Sequence, residues 1–128
     1  MCGIIGYYSN GKHRVDLESA TQELKHRGPD GDGVFYTENK KVGFGHTRLS
    51  IIDVSEKGKQ PFSSANNDTV ITFNGEIYNY KDLKKDLVAK QHKFRSTSDT
   101  EVLLNLFIEK GKNFVEDLNG IFSFAIWN

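Results

Sequence analysis

Cys2 is the one cysteine of the 128-residue chain, and it follows the initiator Met directly. That Met is usually removed before a small residue such as Cys. Removal places a thiol and a free α-amine on the same carbon. A thiol of pKa ~8.5 is little ionised at neutral pH, and an adjacent α-amine of pKa ~7.7–8.0 can take its proton directly or through water. The amine can later return that proton to a leaving amine, so no His or Asp partner is required. The competing reading of Cys2 is a small apolar residue that opens a strand.

Three further groups fit an attack on an amide. Asn74-Gly75-Glu76 can supply two donors to a developing oxyanion, the Asn side-chain amide and the Gly N–H. The competing reading is a hairpin turn, for which Asn-Gly is a strong signal. Arg48 can grip a carboxylate through two parallel hydrogen bonds, and Asp99 can accept from an ammonium. Arg48 could instead be a surface charge, and Asp99 a first-turn acid that favours the helix dipole. His26, Arg27, Asp30 and Asp32 match no standard metal-ligand spacing, so no metal is expected. Gly28, Gly31 and Gly33 lack the Lys-Ser/Thr and helix opening of a phosphate loop.

Composition narrows the classes. The 17 basic and 17 acidic residues cancel, so no electrostatic footprint for nucleic acid or an anionic membrane is present. Nine Phe, five Tyr and one Trp give enough aromatic mass for a core and argue against disorder. No apolar run reaches the ~18 residues of a membrane span, and no secretory signal is visible. One cysteine cannot form an internal disulfide. The expected location is the cytoplasm.

The elements that must position these groups follow from periodicity. Residues 4–8 read as a strand that starts almost at the terminus. Residues 16–25 read as a helix with Leu17, Ala20 and Leu24 on one face, closed by His26, Arg27, Gly28 as C′ and Pro29. Residues 30–33 read as a turn-rich loop, and 34–37 with 42–46 as a hairpin. Residues 49–54 fit strand or extended loop, and 57–68 a polar surface loop. Residues 69–73 form a strand stopped by Asn74-Gly75. Residues 80–91 form a helix with Asn79 as N-cap and Leu83, Leu87 and Val88 facing inward. Ser98-Asp99-Thr100-Glu101 matches a capping box for a helix ending near Lys110-Gly111, with Val102, Leu103, Leu106 and Phe107 buried. Residues 114–118 add a further turn of helix, Asn119-Gly120 a turn, and 121–127 an apolar strand covered on both faces. Strands and helices come in blocks, which predicts an α+β layered fold with mostly antiparallel sheets.

Taken together the segments are more specific than any one alone. Met1-Cys2-Gly3-Ile4-Ile5-Gly6, His26-Arg27-Gly28-Pro29-Asp30-Gly31, Gly45-His46-Thr47-Arg48-Leu49-Ser50-Ile51-Ile52-Asp53, Gln60-Pro61-Phe62, Phe73-Asn74-Gly75-Glu76-Ile77-Tyr78-Asn79 and Ser98-Asp99-Thr100-Glu101 occur in that order. The chain closely resembles the class II glutamine amidotransferases, the N-terminal-nucleophile glutaminase domains, over essentially its whole length. Its variants look most like those of the glutamine-hydrolysing asparagine synthetases.

The resemblance implies a four-layer α-β-β-α sandwich of the N-terminal-nucleophile hydrolase type. It implies that Cys2 is the nucleophile with its own α-amine as base, and that Asn74 and the Gly75 N–H form the oxyanion hole. It implies that Arg48 holds the glutamine α-carboxylate, that Asp99 and Glu76 hold the α-ammonium, and that Leu49, Ile51 and Ile52 line the pocket. The role of Glu76 comes from the family alone. The implied reaction is hydrolysis of the glutamine side-chain amide, with ammonia passed to a synthetase domain or chain that forms asparagine from aspartate with ATP and Mg2+. The glutaminase domain itself needs no cofactor. The family's domain continues through a basic Arg-Asp-Arg segment and a Gly-x-Lys-Pro-Leu-Tyr strand that this sequence lacks. Residues 1–128 are therefore expected to be the N-terminal portion of the glutaminase domain, an incomplete sandwich prone to self-association, with the synthetase domain absent. Two alternatives stand beside this reading: another class II amidotransferase, and a non-catalytic binding or interaction module of the same fold. Leu49-Ser50-Ile51 argues against the sugar-synthesising members, which tend to carry an aromatic there.

Overall fold

A computed structural model describes residues 1–10, 15–51 and 55–128. Strands β1 (Gly3–Tyr8), β2 (Gly31–Tyr36) and β3 (Val42–Arg48) form one antiparallel sheet in the order β1-β3-β2. Strands β4 (Phe62–Ser63), β5 (Val70–Ile77) and β6 (Gly120–Trp127) form a second, ordered β4-β5-β6. Helix α1 (Leu17–Gln22) lies on the first sheet, and α2 (Tyr80–Ala89) and α3 (Asp99–Lys110) pair with each other beside the second.

Alternation along two central strands explains the layering. On β3, Val42 and Phe44 meet Val70 of β5 in a cluster between the sheets. The intervening Gly43 and Gly45 face α1, where a Cβ on Gly45 would lie 2.1 Å from Thr21 Oγ1. The missing side chains let α1 settle flat on the sheet. On β5, Ile71, Phe73 and Ile77 enter the main core with Leu87, Val102, Leu103, Leu104 and Leu106. Val70 and Thr72 take the opposite face, and Thr72 Oγ1 donates to the Gly45 carbonyl at 3.4 Å. The result is helix, sheet, sheet, helix, as the resemblance implies.

Several local expectations change. The turn-rich 30–33 segment belongs largely to β2, because Gly31, Asp32 and Gly33 pair with Arg48, Thr47 and His46. The expected helix over 16–25 is shorter: α1 ends at Gln22, and Lys25–Arg27 is a 3-10 turn. Gly28 is extended at φ −151° rather than a left-handed cap. The 57–68 stretch is not all surface loop, since Gly58, Gln60, Phe62 and Ser64 are buried and β4 lies within it. Asn74-Gly75 does not stop its strand: pairing with β6 runs on to Ile77 opposite Gly120. Gly75 makes this possible, since a Cβ there would sit 2.3 Å from the Ile121 carbonyl oxygen.

Asn79 occupies the N-cap of α2 but makes no capping bond; its amide donates to the Asp117 carbonyl and accepts from Asn119 N–H. Val88 is 54% exposed rather than inward. The capping box at α3 is half made. Ser98 Oγ accepts from Glu101 N–H, while the Glu101 carboxylate turns to the Arg95 and Ser96 N–H groups. Residues 111–117 are a 3-10 segment, and Gly120 already belongs to β6. Strand β6 is covered fully on one face and partly on the other: Phe122, Phe124 and Ile126 pack on the main core and Ala125 on the cluster between the sheets, while Ile121 and Trp127 are 65% and 40% exposed.

Candidate active site

The chain start is tied to the end of β3. Cys2 Sγ accepts from Leu49 N–H at 3.3 Å, and Gly3 N–H donates to Thr47 Oγ1. Thr47 Oγ1 in turn donates to the Leu24 carbonyl, and Arg27 Nε donates to the Cys2 carbonyl at 3.2 Å. The His26-Arg27-Gly28-Pro29-Asp30 stretch is thus a strap over the end of β3. Gly28 lies so close to it that a Cβ would meet the Thr47 carbonyl oxygen at 2.4 Å. Asp30 closes the strap: its N–H donates to the Arg48 carbonyl and its carboxylate accepts from Ser50 N–H.

Opposite this strap, β5 presents an open edge. Successive N–H groups of a strand point to opposite edges. Phe73 N–H donates to Gln60 Oε1 at 2.7 Å, and Ile77 N–H donates to Asp99 Oδ2 at 3.1 Å. Both therefore point away from β6, and so does the Gly75 N–H between them. Gly75 lines a cavity of about 180 Å³ whose wall also includes Cys2, Arg48, Leu49, Ile51, Asn74, Glu76 and Asp99. Every sequence-derived site residue within the described residues reaches this one cavity; Ile52 lies outside the described residues.

Charge at the site is partly desolvated. Arg48 is 8% exposed, contrary to a surface-charge reading, and its Nη1 donates to the Ser55 carbonyl at 2.8 Å. Asp99 is 5% exposed. Burial pushes its carboxyl up from the ordinary value; the Ile77 N–H opposes that and the nearby Glu76 charge adds to it. The Asn74 side-chain oxygen is buried without a hydrogen-bond partner, as are both ring nitrogens of His46. Burial lowers the His46 pKa to about 4, with the Phe73 backbone pulling the other way and the Arg48 charge reinforcing the drop. His46 is therefore neutral at pH 7. Among the described residues no group of three or more His, Cys, Asp or Glu side chains could hold a metal ion. No helix among them is long and apolar enough to cross a membrane.

Sequence reasoning missed His46, Gln60 and the strap residues Arg27 and Asp30. The signal for Gln60 was present: a polar residue beside Pro in a stretch assigned to solvent. What exposed its role is burial, which spacing alone does not report.

A thiol at the chain start, facing amide-type donors across the inner layers of an α-β-β-α sandwich, defines an N-terminal-nucleophile type of amidohydrolase scaffold. The chain belongs to the glutamine amidotransferase domain family, whose model matches residues 1–128. The glutamine-hydrolysing asparagine synthetase 1 of Bacillus subtilis (strain 168) is 44% identical over 136 residues, covering 100% of this chain and 21% of that protein. The glutamine-hydrolysing asparagine synthetase B of Escherichia coli (strain K12) is 38% identical over 132 residues, covering 100% of this chain and 23% of that protein. Among solved structures, the glutamine phosphoribosylpyrophosphate amidotransferase of B. subtilis, complexed with ADP and GMP, matches with a TM-score of 0.74 at 26% identity. That match covers 99% of this chain and 34% of the other. The chain spans about a fifth of the length of these two synthetases.

Proposed function

We propose that the chain hydrolyses the side-chain amide of glutamine through Cys2 once Met1 is removed. The carrying observation is that Cys2, Arg48, Asn74, Gly75 and Asp99 wall one cavity although they come from four separate segments of the chain. The freed α-amine takes the Cys2 proton, and the thiolate attacks the amide carbon. The oxyanion accepts from Asn74 Nδ2 and the Gly75 N–H. Collapse of the tetrahedral adduct breaks the C–N bond; the ammonium-bearing terminus returns the proton and ammonia leaves. Water then hydrolyses the thioester to glutamate and restores the thiol. Arg48 holds the substrate α-carboxylate, and Asp99 with Glu76 holds the α-ammonium. Leu49 and Ile51 shape the walls.

In the longer protein the ammonia serves asparagine formation from aspartate, with ATP and Mg2+ used by a synthetase portion outside this chain. Asparagine as the product rests on the two glutamine-hydrolysing asparagine synthetase relatives, and aspartate, ATP and Mg2+ on the family resemblance. Residues 1–128 are the N-terminal part of the glutaminase domain, and the cytoplasm is the expected location. The test is to incubate the protein with glutamine and measure glutamate: release of glutamate that stops in Cys2→Ala supports the reading, and no release from processed protein overturns it.

A further inference from the structure

We propose that Gln60 is a positioning residue of this site: its carboxamide bridges β5 to the start of α3 and fixes the oxyanion donors relative to the ammonium acceptor. The inference rests on the glutaminase reading.

Gln60 is 7% exposed and lines the same cavity as Cys2. Its Oε1 accepts from Phe73 N–H at 2.7 Å, and its Nε2 donates to Thr100 Oγ1 at 3.2 Å. Phe73 immediately precedes Asn74, and Thr100 immediately follows Asp99. One side chain therefore spans the residues next to the oxyanion donor and next to the carboxylate. Asp99 makes a second link between the same two elements through Ile77 N–H. The Gly75 N–H lies between these two bonds on the strand edge. Strand β4 pairs only with Val70 and Ile71, so beyond them Gln60 takes the place a neighbouring strand would fill.

The Gln60 backbone is held independently. Gly33 of β2 approaches so closely that a Cβ would lie 2.4 Å from the Gln60 carbonyl oxygen. The first sheet thus braces the loop that braces β5. A shorter or apolar side chain at position 60 cannot serve both Phe73 and Thr100. It would leave a buried N–H unpaired and free α3 to shift against β5.

The test uses the full-length protein with Cys2 as its first residue. Gln60→Leu, Gln60→Asn, Thr100→Val and the Gln60→Leu/Thr100→Val double variant are compared for kcat, KM for glutamine and Tm. Phe62→Leu, a core change outside the site, serves as the stability control. Gln60→Leu is expected to lower kcat at least ~10-fold and to raise KM several-fold. Phe62→Leu, at a similar or larger loss of Tm, is expected to keep kcat within about twofold. Adding Thr100→Val to Gln60→Leu should cost nothing further, because the bridge is already gone. Amide exchange at Phe73 should accelerate in Gln60→Leu and not in Phe62→Leu. Wild-type-like kcat and KM in Gln60→Leu, or effects that merely track Tm across all variants, overturn the positioning role while leaving the glutaminase reading intact. An inactive wild type overturns the glutaminase reading and this role with it, and unchanged Phe73 exchange refutes the bridge whatever the activity. Should Gln60→Leu fail to fold, Gln60→Asn carries the same comparisons.

Discussion

Cys2 Sγ sits 3.3 Å from the Leu49 nitrogen, so the chain's first thiol is docked on the backbone next to Arg48. The thiol accepts from the Leu49 N–H and donates to the Leu49 carbonyl at 3.7 Å, which fixes its place at the cavity wall. A glutamine-mimicking electrophile should label Cys2 alone, and Cys2→Ala should abolish labelling while leaving glutamine binding largely intact. Mass mapping of the adduct decides it, and an adduct that persists in Cys2→Ala contradicts the assignment.

Asn74 and Arg48 line the same cavity but should fail differently. Asn74→Ala removes a donor to the oxyanion and should lower kcat by ~10²–10³. Asn74→Asp should be as damaging, since a carboxylate cannot donate. Arg48→Ala should act mainly on KM. Steady-state kinetics separate the two, and purely KM effects at both positions would mean the roles are misassigned.

The Gly75→Ala substitution tests the close approach of β5 to β6. Its Cβ would meet backbone atoms of Ile121 and Phe122 at 2.3 and 2.6 Å, which cannot swing away. A loss of about 1–3 kcal/mol in stability is expected, the usual cost of overpacking, together with reduced kcat. Denaturant titration checks the first and glutamate release the second.

Two buried titrating groups give opposite handles on pH. His46 has its folded pKa lowered to about 4, so its contribution to stability is complete above the unfolded value near 6.5 and is lost as pH falls from there toward 4. Linkage places the loss at about 2 kcal/mol by pH 5. His46→Asn should flatten that part of the stability profile. Asp99 is raised by burial, and its ionised form is the one that accepts an ammonium. KM for glutamine should therefore rise as pH falls through that raised pKa, and Asp99→Asn should raise KM at neutral pH and remove the dependence.

The sequence made the site more legible than the strands around it. Cys2, Arg48, Asn74, Gly75 and Asp99 are legible as a set rather than singly: each alone admits a structural reading, their types and order together resemble one family, and in the structure all five line one cavity. Asn74-Gly75 misled as a strand stop because turn propensity is local, whereas the ladder to β6 is made with a distant strand, Ile77 pairing with Gly120, 43 residues further along the chain. Gln60 and His46 were hidden because burial of a polar side chain depends on which sheets meet. Both faces of β6 read as covered because Ile121, Phe122, Phe124, Ile126 and Trp127 form an apolar run; in the structure Phe122, Phe124 and Ile126 are packed and Ile121 and Trp127 are exposed. A polypeptide of these 128 residues is accordingly expected to self-associate through β6, an exposed apolar edge. Trp127→Lys should reduce that association in light scattering.

The most direct measurement compares two preparations of one protein, one with Cys2 as its first residue and one shown by intact mass to retain Met1. In the retained form the Cys2 nitrogen belongs to a planar amide without basicity and cannot take the thiol proton. Glutamate release should appear only in the processed preparation. Equal turnover from fully Met1-retaining protein would contradict catalysis by the terminal amine of Cys2.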